Sequence, residues 1–172
     1  MPVVRINTRL SLLAALCLAA LLAGCGFQLR GTATLPFQTL YVDIPTGNAM
    51  GAELKRNLRA GTNVTLVDRR EDAEAVLTNT GETRTKLILS INSAGRVREF
   101  RLRYGFTYSL VDKNGHEIAP PADLIINRDY SFNENEVLAK ESEEQLLYRD
   151  MQSDLVQQVI RRLAAVTPKP LR

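Results

Sequence analysis

The most distinctive chemistry in this chain sits at Cys25. It closes the tetrapeptide Leu22-Ala23-Gly24-Cys25, behind an apolar run from Leu10 to Leu22 and the two cations Arg5 and Arg9. A charged start, a short apolar stretch and small residues before a cut make a secretory signal peptide. The run of thirteen residues is too short to cross a bilayer, which takes about 20. A cysteine at that cut is what bacterial lipoprotein processing requires. Its thiol takes a diacylglyceryl group, the chain is cut before it, and the freed amine is acylated. Residues 1–24 are therefore expected to be lost, leaving a periplasmic domain held on a membrane by its first residue. Each methylene of such an anchor contributes roughly 0.8 kcal/mol when buried. Gly26 follows the cysteine. In many Gram-negative bacteria an Asp there retains a lipoprotein in the inner membrane, so the outer membrane is the expected destination.

The second group with chemical content is cationic. Between Arg84 and Arg103 stand Arg84, Lys86, Arg96, Arg98, Arg101 and Arg103 against the single acid Glu99. Between Glu134 and Asp154 the balance reverses, with seven acids against Lys140 and Arg149. Arginine offers paired donors to a phosphate and lysine a point charge, so an exposed cationic strand suits an anionic amphiphile such as lipopolysaccharide. An acidic protein surface would suit it equally, and the two charged elements would also complement each other within one domain.

Little else here runs a reaction. His116 is the single histidine and follows a turn, with no His or Cys beside it to share a metal. There is no Gly-rich phosphate loop and no Gly-x-Ser-x-Gly turn. Cys17 leaves with the leader and Cys25 is acylated, so no thiol remains for a disulfide, a metal or a nucleophile. The composition argues against an enzyme and for a binding domain with no cofactor beyond the covalent lipid on Cys25. The mature chain keeps twenty Lys and Arg against nineteen Asp and Glu, and secretion together with that balance excludes nucleic acid as a partner.

The elements that must carry these residues follow from periodicity. Residues 25–37 read as a lipidated tether, 38–166 as one periplasmic domain and 167–172 as a tail. Loss of 24 residues from 172 leaves 148, enough to bury about 68–70% of the unfolded surface. Thr39 to Ile44 alternates as a strand and stops at Pro45. Asn48 caps a helix in which Met50, Leu54 and Leu58 recur, with Gly61 as its stop. Val64 to Val67 begins a strand that the charged run Asp68 to Asp72 interrupts as an exposed turn. Strand character returns from Ala75 to Ile91, weakest at Asn79 to Thr85. After a turn at Ser93 to Arg96, the residues Phe100, Leu102, Tyr104, Phe106, Tyr108 and Leu110 share one parity. Glu99, Arg101, Arg103, Thr107 and Ser109 hold the other, so the first set is expected in the core and the second outside. Asn114-Gly115 predicts a two-residue hairpin. Pro120-Pro121 interrupts the return strand, which resumes from Leu124 to Phe132. A long helix spans about Glu134 to Ala165, where Leu147, Met151, Leu155 and Val159 are spaced by four. The expected fold is α+β: a mixed or antiparallel four-stranded sheet with both helices on one face, a two-layer sandwich.

Several short motifs, in order, resemble the LptE family of lipopolysaccharide-assembly lipoproteins. They are Leu-Ala-Gly-Cys-Gly-Phe-Gln-Leu-Arg-Gly from Leu22 to Gly31, then Arg98-Glu99-Phe100-Arg101-Leu102-Arg103-Tyr104, then Leu138-Ala139-Lys140-Glu141, Glu144-Gln145 and Arg161-Arg162-Leu163. The resemblance implies a non-enzymatic plug inside the β-barrel that inserts lipopolysaccharide into the outer leaflet. It implies a one-to-one complex with that LptD-like barrel, help in the barrel's assembly, and direct binding of lipopolysaccharide. It carries a lipopolysaccharide-binding lysine over to Lys140. The family's hairpin-tip cation falls on Ser93, so Arg96, across the same turn, is the residue placed to serve instead. Arg98, Arg101 and Arg103 complete the expected set. The other reading of such a lipoprotein is a structural tether or a pilot for another secretion pore.

Overall fold

A computed structural model describes residues 33–167 of the chain. The leader 1–24, the expected lipidation site Cys25 and the tail beyond 167 lie outside the described residues. The alternating segment forms β4 (Val97–Val111) in the expected register: Leu102, Tyr104, Phe106, Tyr108 and Leu110 are buried, while Arg103 is exposed. β3 (Ala75–Ile91) pairs antiparallel with β4 on one side, and β5 (Glu117–Ser131) does so on the other.

The sheet has five strands rather than four. β1 (Thr39–Asp43) lies between β3 and the two-residue strand β2 (Thr65–Leu66), parallel to both, giving the order β2-β1-β3-β4-β5. The charged run is the reason. Arg70–Asp72 makes a turn of 3-10 helix that carries the chain across β1, so the residues before and after it end up on opposite sides of that strand.

Both hairpins close by the same turn. The expected two-residue loop at Asn114-Gly115 is instead a three-residue loop. The Gly115 amide donates to the Asp112 carbonyl at 3.1 Å, and the Asp112 amide donates to the His116 carbonyl at 2.8 Å. The Asp112 carboxylate also accepts from the amides of Asn114 and His116 at 2.8 Å each. That brings the chain round to Gly115, whose φ of 92° is in the left-handed region where glycine is unstrained. Asn92 does the same for Ala94, Arg96 and Gly95 at the β3–β4 turn. His116 therefore has a structural place, with Nδ1 at 2.9 Å from Asp112. This bond to His116 is the main cause that pulls the Asp112 carboxyl down to about 2. β5 runs unbroken through Pro120-Pro121, with a register irregularity opposite Tyr108 to Leu110. Prolines are tolerated there because β5 is the sheet's edge.

Helix α1 (Ala49–Gly61) starts where Asn48 Oδ1 accepts from the Gly51 amide at 2.7 Å, and it buries Met50, Leu54 and Leu58. Helix α2 (Val137–Ala164), led in by a 3-10 turn at Glu134–Glu136, buries Met151, Leu155, Val156, Val159, Ile160 and Leu163. All six belong to its second half. Leu35 and Phe37, read from sequence as the end of a tether, are part of the core as well. The Ala33 amide donates to the Gly61 carbonyl and the Leu35 amide to Asn63 Oδ1, and these bonds dock the segment on the end of α1.

Gly51 marks a close approach. A Cβ there would fall 2.5 Å from Ile44 Cγ2. Alanine ordinarily gains about 1 kcal/mol over glycine inside a helix, whereas forcing a methyl into a packed site costs about 1–3 kcal/mol. Gly51→Ala is therefore expected to lower the urea midpoint. A midpoint at or above the parent's would show that Ile44 moves aside freely.

Candidate functional site

The cations seen in sequence separate in space. β4 turns Arg101 and Arg103 to the open side of the sheet. Arg101 meets Asp129 of β5, donating from Nε and Nη2 to the two carboxylate oxygens at 2.7 Å each. That pairing holds the Asp129 carboxyl below its ordinary value, and Arg101 lies above its own for the same reason. Arg103 is exposed and makes no ion pair among the described residues.

Arg84 and Lys86 point the other way, beneath α2. Lys86 Nζ donates to Glu144 Oε2 and lies 4.2 Å from the Phe100 ring centroid, with the rings of Tyr130 and Phe132 at 5.7 and 5.9 Å. Burial works against this ammonium, but its bonds to Glu144 and Tyr130 outweigh that and leave its pKa raised. Arg84 sits 4.3 Å over Tyr104 and donates to the Tyr104 hydroxyl and Gln152 Oε1. The Tyr104 hydroxyl is pushed up to about 12, first by burial and then by its bond to Glu82. Of the basic segment, Lys86 pairs with an acid of α2 and Arg96 with Glu134 in the lead-in to it, while Arg84 and Arg101 find partners in the sheet. The exposed cationic strand face reduces to Arg103 beside an Arg101 already paired, because the strand's alternation sends Arg84 and Lys86 under α2.

The remaining expected residues converge at one end of the molecule. Arg96, at the β3–β4 turn, is 64% exposed at its side chain and stands 3.7 Å from Glu134 at the start of the α2 lead-in. Arg98 is exposed, makes no ion pair among the described residues, and its carbonyl accepts from the Phe132 amide at 2.7 Å. Lys140 reaches the same neighbourhood through Ser131 Oγ at 3.3 Å. It is not the exposed cation its position in the first turns of a helix suggests. Its side chain is 15% exposed and donates to Glu143 at 2.8 Å, because the end of β5 lies against that turn. Ser93, the tip position, is exposed.

Sequence reasoning missed the apolar half of this end. Leu87, Ile88 and Ile91 are 52%, 61% and 60% exposed, with Leu89, Val137 and Leu138 also uncovered. The signal was present in Leu87-Ile88-Leu89, three consecutive apolar residues in a strand whose two faces cannot both lie in one core. The outcome is a hairpin tip with the cations Arg96 and Arg98 at and just after its turn and apolar sides behind them.

Comparison with known proteins gives consistent matches. The family model for LptE, described as lipopolysaccharide-assembly, matches residues 37–163. The chain is 32% identical over 149 residues to the LPS-assembly lipoprotein LptE of Yersinia enterocolitica, covering 84% of this chain and 70% of that one. It is 27% identical over 147 residues to the LPS-assembly lipoprotein LptE of Photorhabdus laumondii, covering 84% and 79%. Among solved structures it is similar to lipoprotein B from Nitrosomonas europaea, with a TM-score of 0.71 and 38% identity over 81% of this chain and 91% of that one. The rare lipoprotein B from Shewanella oneidensis superposes with a TM-score of 0.66 at 26% identity, covering 74% and 95%.

Proposed function

We propose, for a chain that belongs to the LptE family of lipopolysaccharide-assembly lipoproteins, that it works without catalysis as the lipid-anchored plug and assembly partner of the lipopolysaccharide-translocating β-barrel. In this reading Cys25 carries the lipid, the outer membrane is its location, and one copy pairs with one LptD-like barrel. The domain also binds lipopolysaccharide directly. The observation that carries the binding role is the hairpin end, where exposed Leu87, Ile88 and Ile91 lie in one tip with Arg96 and Arg98. Phosphates of the amphiphile meet the guanidinium groups, and acyl chains find apolar surface that the core leaves uncovered. Lys140 contributes from beneath, through its contact with Ser131. Arg101 contributes least, because Asp129 already takes both arms of its guanidinium.

Two measurements test this. The barrel of the lipopolysaccharide translocon should be retained with the tagged chain from solubilised outer membrane; retention of a different pore would replace the plug reading with a pilot role. Arg96→Glu with Arg98→Glu should weaken lipopolysaccharide binding while the circular dichroism spectrum stays unchanged, since exposed substitutions usually shift stability by no more than about 0.5 kcal/mol. Binding by the parent should also fall with salt, because exposed charges are screened over roughly 10 Å at 0.1 M. Equal binding by parent and variant would remove both arginines from the site.

A further inference from the structure

The chain enters the described domain at the end where both helices stop. The Ala33 amide donates to the carbonyl of Gly61, the last residue of α1, at 2.8 Å. The helices lie side by side and run the same way. Glu53 accepts from Gln152 Nε2 and Ser153 Oγ at 2.6 Å each, and one turn on Asn57 Oδ1 accepts from Gln157 Nε2 at 3.1 Å. Gly61 is therefore level with the last turns of α2. That helix starts beside the β3–β4 turn, where Glu134 of its lead-in meets Arg96, and ends by Tyr108, towards the far end of β4. Its 28 residues set those two ends about 42 Å apart.

This end of the helix layer is cationic. Arg56 and Arg59 of α1 and Arg161 and Arg162 of α2 are exposed, and none makes an ion pair among the described residues. No acid stands in 54–67 or 155–167. A helix dipole favours cations in the last turn, which accounts for Arg59, Arg161 and Arg162 but not for the lack of acids to answer them. The acids of this end lie elsewhere: Glu74, Asp112 and Glu117 at strand ends, and Asp68, Glu71 and Asp72 in a loop shared with Arg69 and Arg70.

We infer that this end of the helix layer is a docking surface for anionic phospholipid headgroups of the leaflet that holds the anchor. The inference rests on the proposed lipidation of Cys25. Ala33 is eight residues beyond Cys25, a reach of at most about 29 Å. An anchor there keeps the helix ends by the membrane and leaves the hairpin tip, a helix length away, clear of it. Each basic residue near an anionic leaflet favours contact about fivefold, and a guanidinium pairs its donors with phosphate oxygens. The acyl chains hold the protein, and the four arginines set which way the domain faces.

The test uses the protein purified from membranes and reconstituted in vesicles of phosphatidylcholine, with or without phosphatidylglycerol. A fluorophore is attached at Ala165→Cys, or at Ser93→Cys as the tip control, both exposed positions, and energy transfer to a dye on the lipid headgroups is measured. On anionic vesicles transfer from position 165 should rise above its value on neutral ones, and transfer from position 93 should not. High salt should return the first to the neutral value, since the screening length falls to about 3 Å at 1 M. Arg56→Glu, Arg59→Glu, Arg161→Glu and Arg162→Glu combined should do the same. Equal transfer on both kinds of vesicle, a rise at position 93 instead, or no response to salt would each overturn the proposal. Those arms keep all four arginines, so they decide the matter even if the fourfold variant fails to fold. A protein that does not float with neutral vesicles lacks the anchor, which defeats that reading and this inference with it. One that floats but gives equal transfer overturns this inference alone.

Discussion

Phe106→Ala is expected to cost about 3–5 kcal/mol, the usual range for truncating a buried aromatic. The ring is fully buried, lies 6.1 Å from the ring of Tyr108, and sits in the middle of β4 between Glu82 of β3 and Leu124 of β5. Its removal leaves a void in the sheet layer on which α2 packs, and β4, fixed on both sides by backbone pairing, has little freedom to close it. A domain of this size is stable by about 5–15 kcal/mol, so the variant should lose much of its folded population well below the parent's urea midpoint. Arg103→Ala is the control: three residues away, of opposite parity and exposed, it should shift stability by no more than about 0.5 kcal/mol. If Arg103→Ala proves the more damaging of the two, the assignment of inner and outer faces is wrong.

Cys25→Ser should abolish stable membrane attachment. In the proposed mature protein the cysteine carries a diacylglyceryl group and an N-acyl chain, three fatty chains in all. One myristoyl chain holds a protein on a membrane only with an association constant of about 10⁴ M⁻¹, and two signals already give stable anchoring. A serine hydroxyl does not form the thioether, so all three chains are lost in one step. The variant should appear as soluble or uncleaved protein on fractionation. Mass spectrometry of the parent's mature N-terminus should show the lipid; an unmodified Cys25, or a cut elsewhere, would falsify the assignment. Growth need not depend on the anchor, so viability is a poor substitute for the chemical measurement.

Features set by near neighbours are legible in short stretches of the chain. The alternation in β4 placed its inner and outer residues correctly, because a strand's two faces are set by a period of two whatever lies beyond. Asn48 was recognisable as a helix cap, since the bond it makes reaches only to Gly51. Apolar spacing by four marked the buried stripe of α2. The hairpin loop is ambiguous in sequence because Asn114-Gly115 is compatible with two turn geometries. The choice falls to Asp112, whose carboxylate closes the longer one.

The order of the elements and the motifs that place the chain in its family are legible in the chain alone. The tertiary structure decided which charges are available. Arg101 is neutralised by Asp129, 28 residues away, and Lys86 is enclosed by Phe100, Tyr130 and Glu144, the last 58 residues away. Lys140 is tucked against Ser131 by the end of β5, while Arg96, near Glu134, and Arg98 stay exposed at a tip whose apolar sides no other described residue buries. The physical reason is one of range. Periodicity and capping arise from bonds within a few residues, so they are written in any short window. The partner of a charge depends on sheet register and on how a helix crosses the strands, and those neighbours exist only once distant segments have packed.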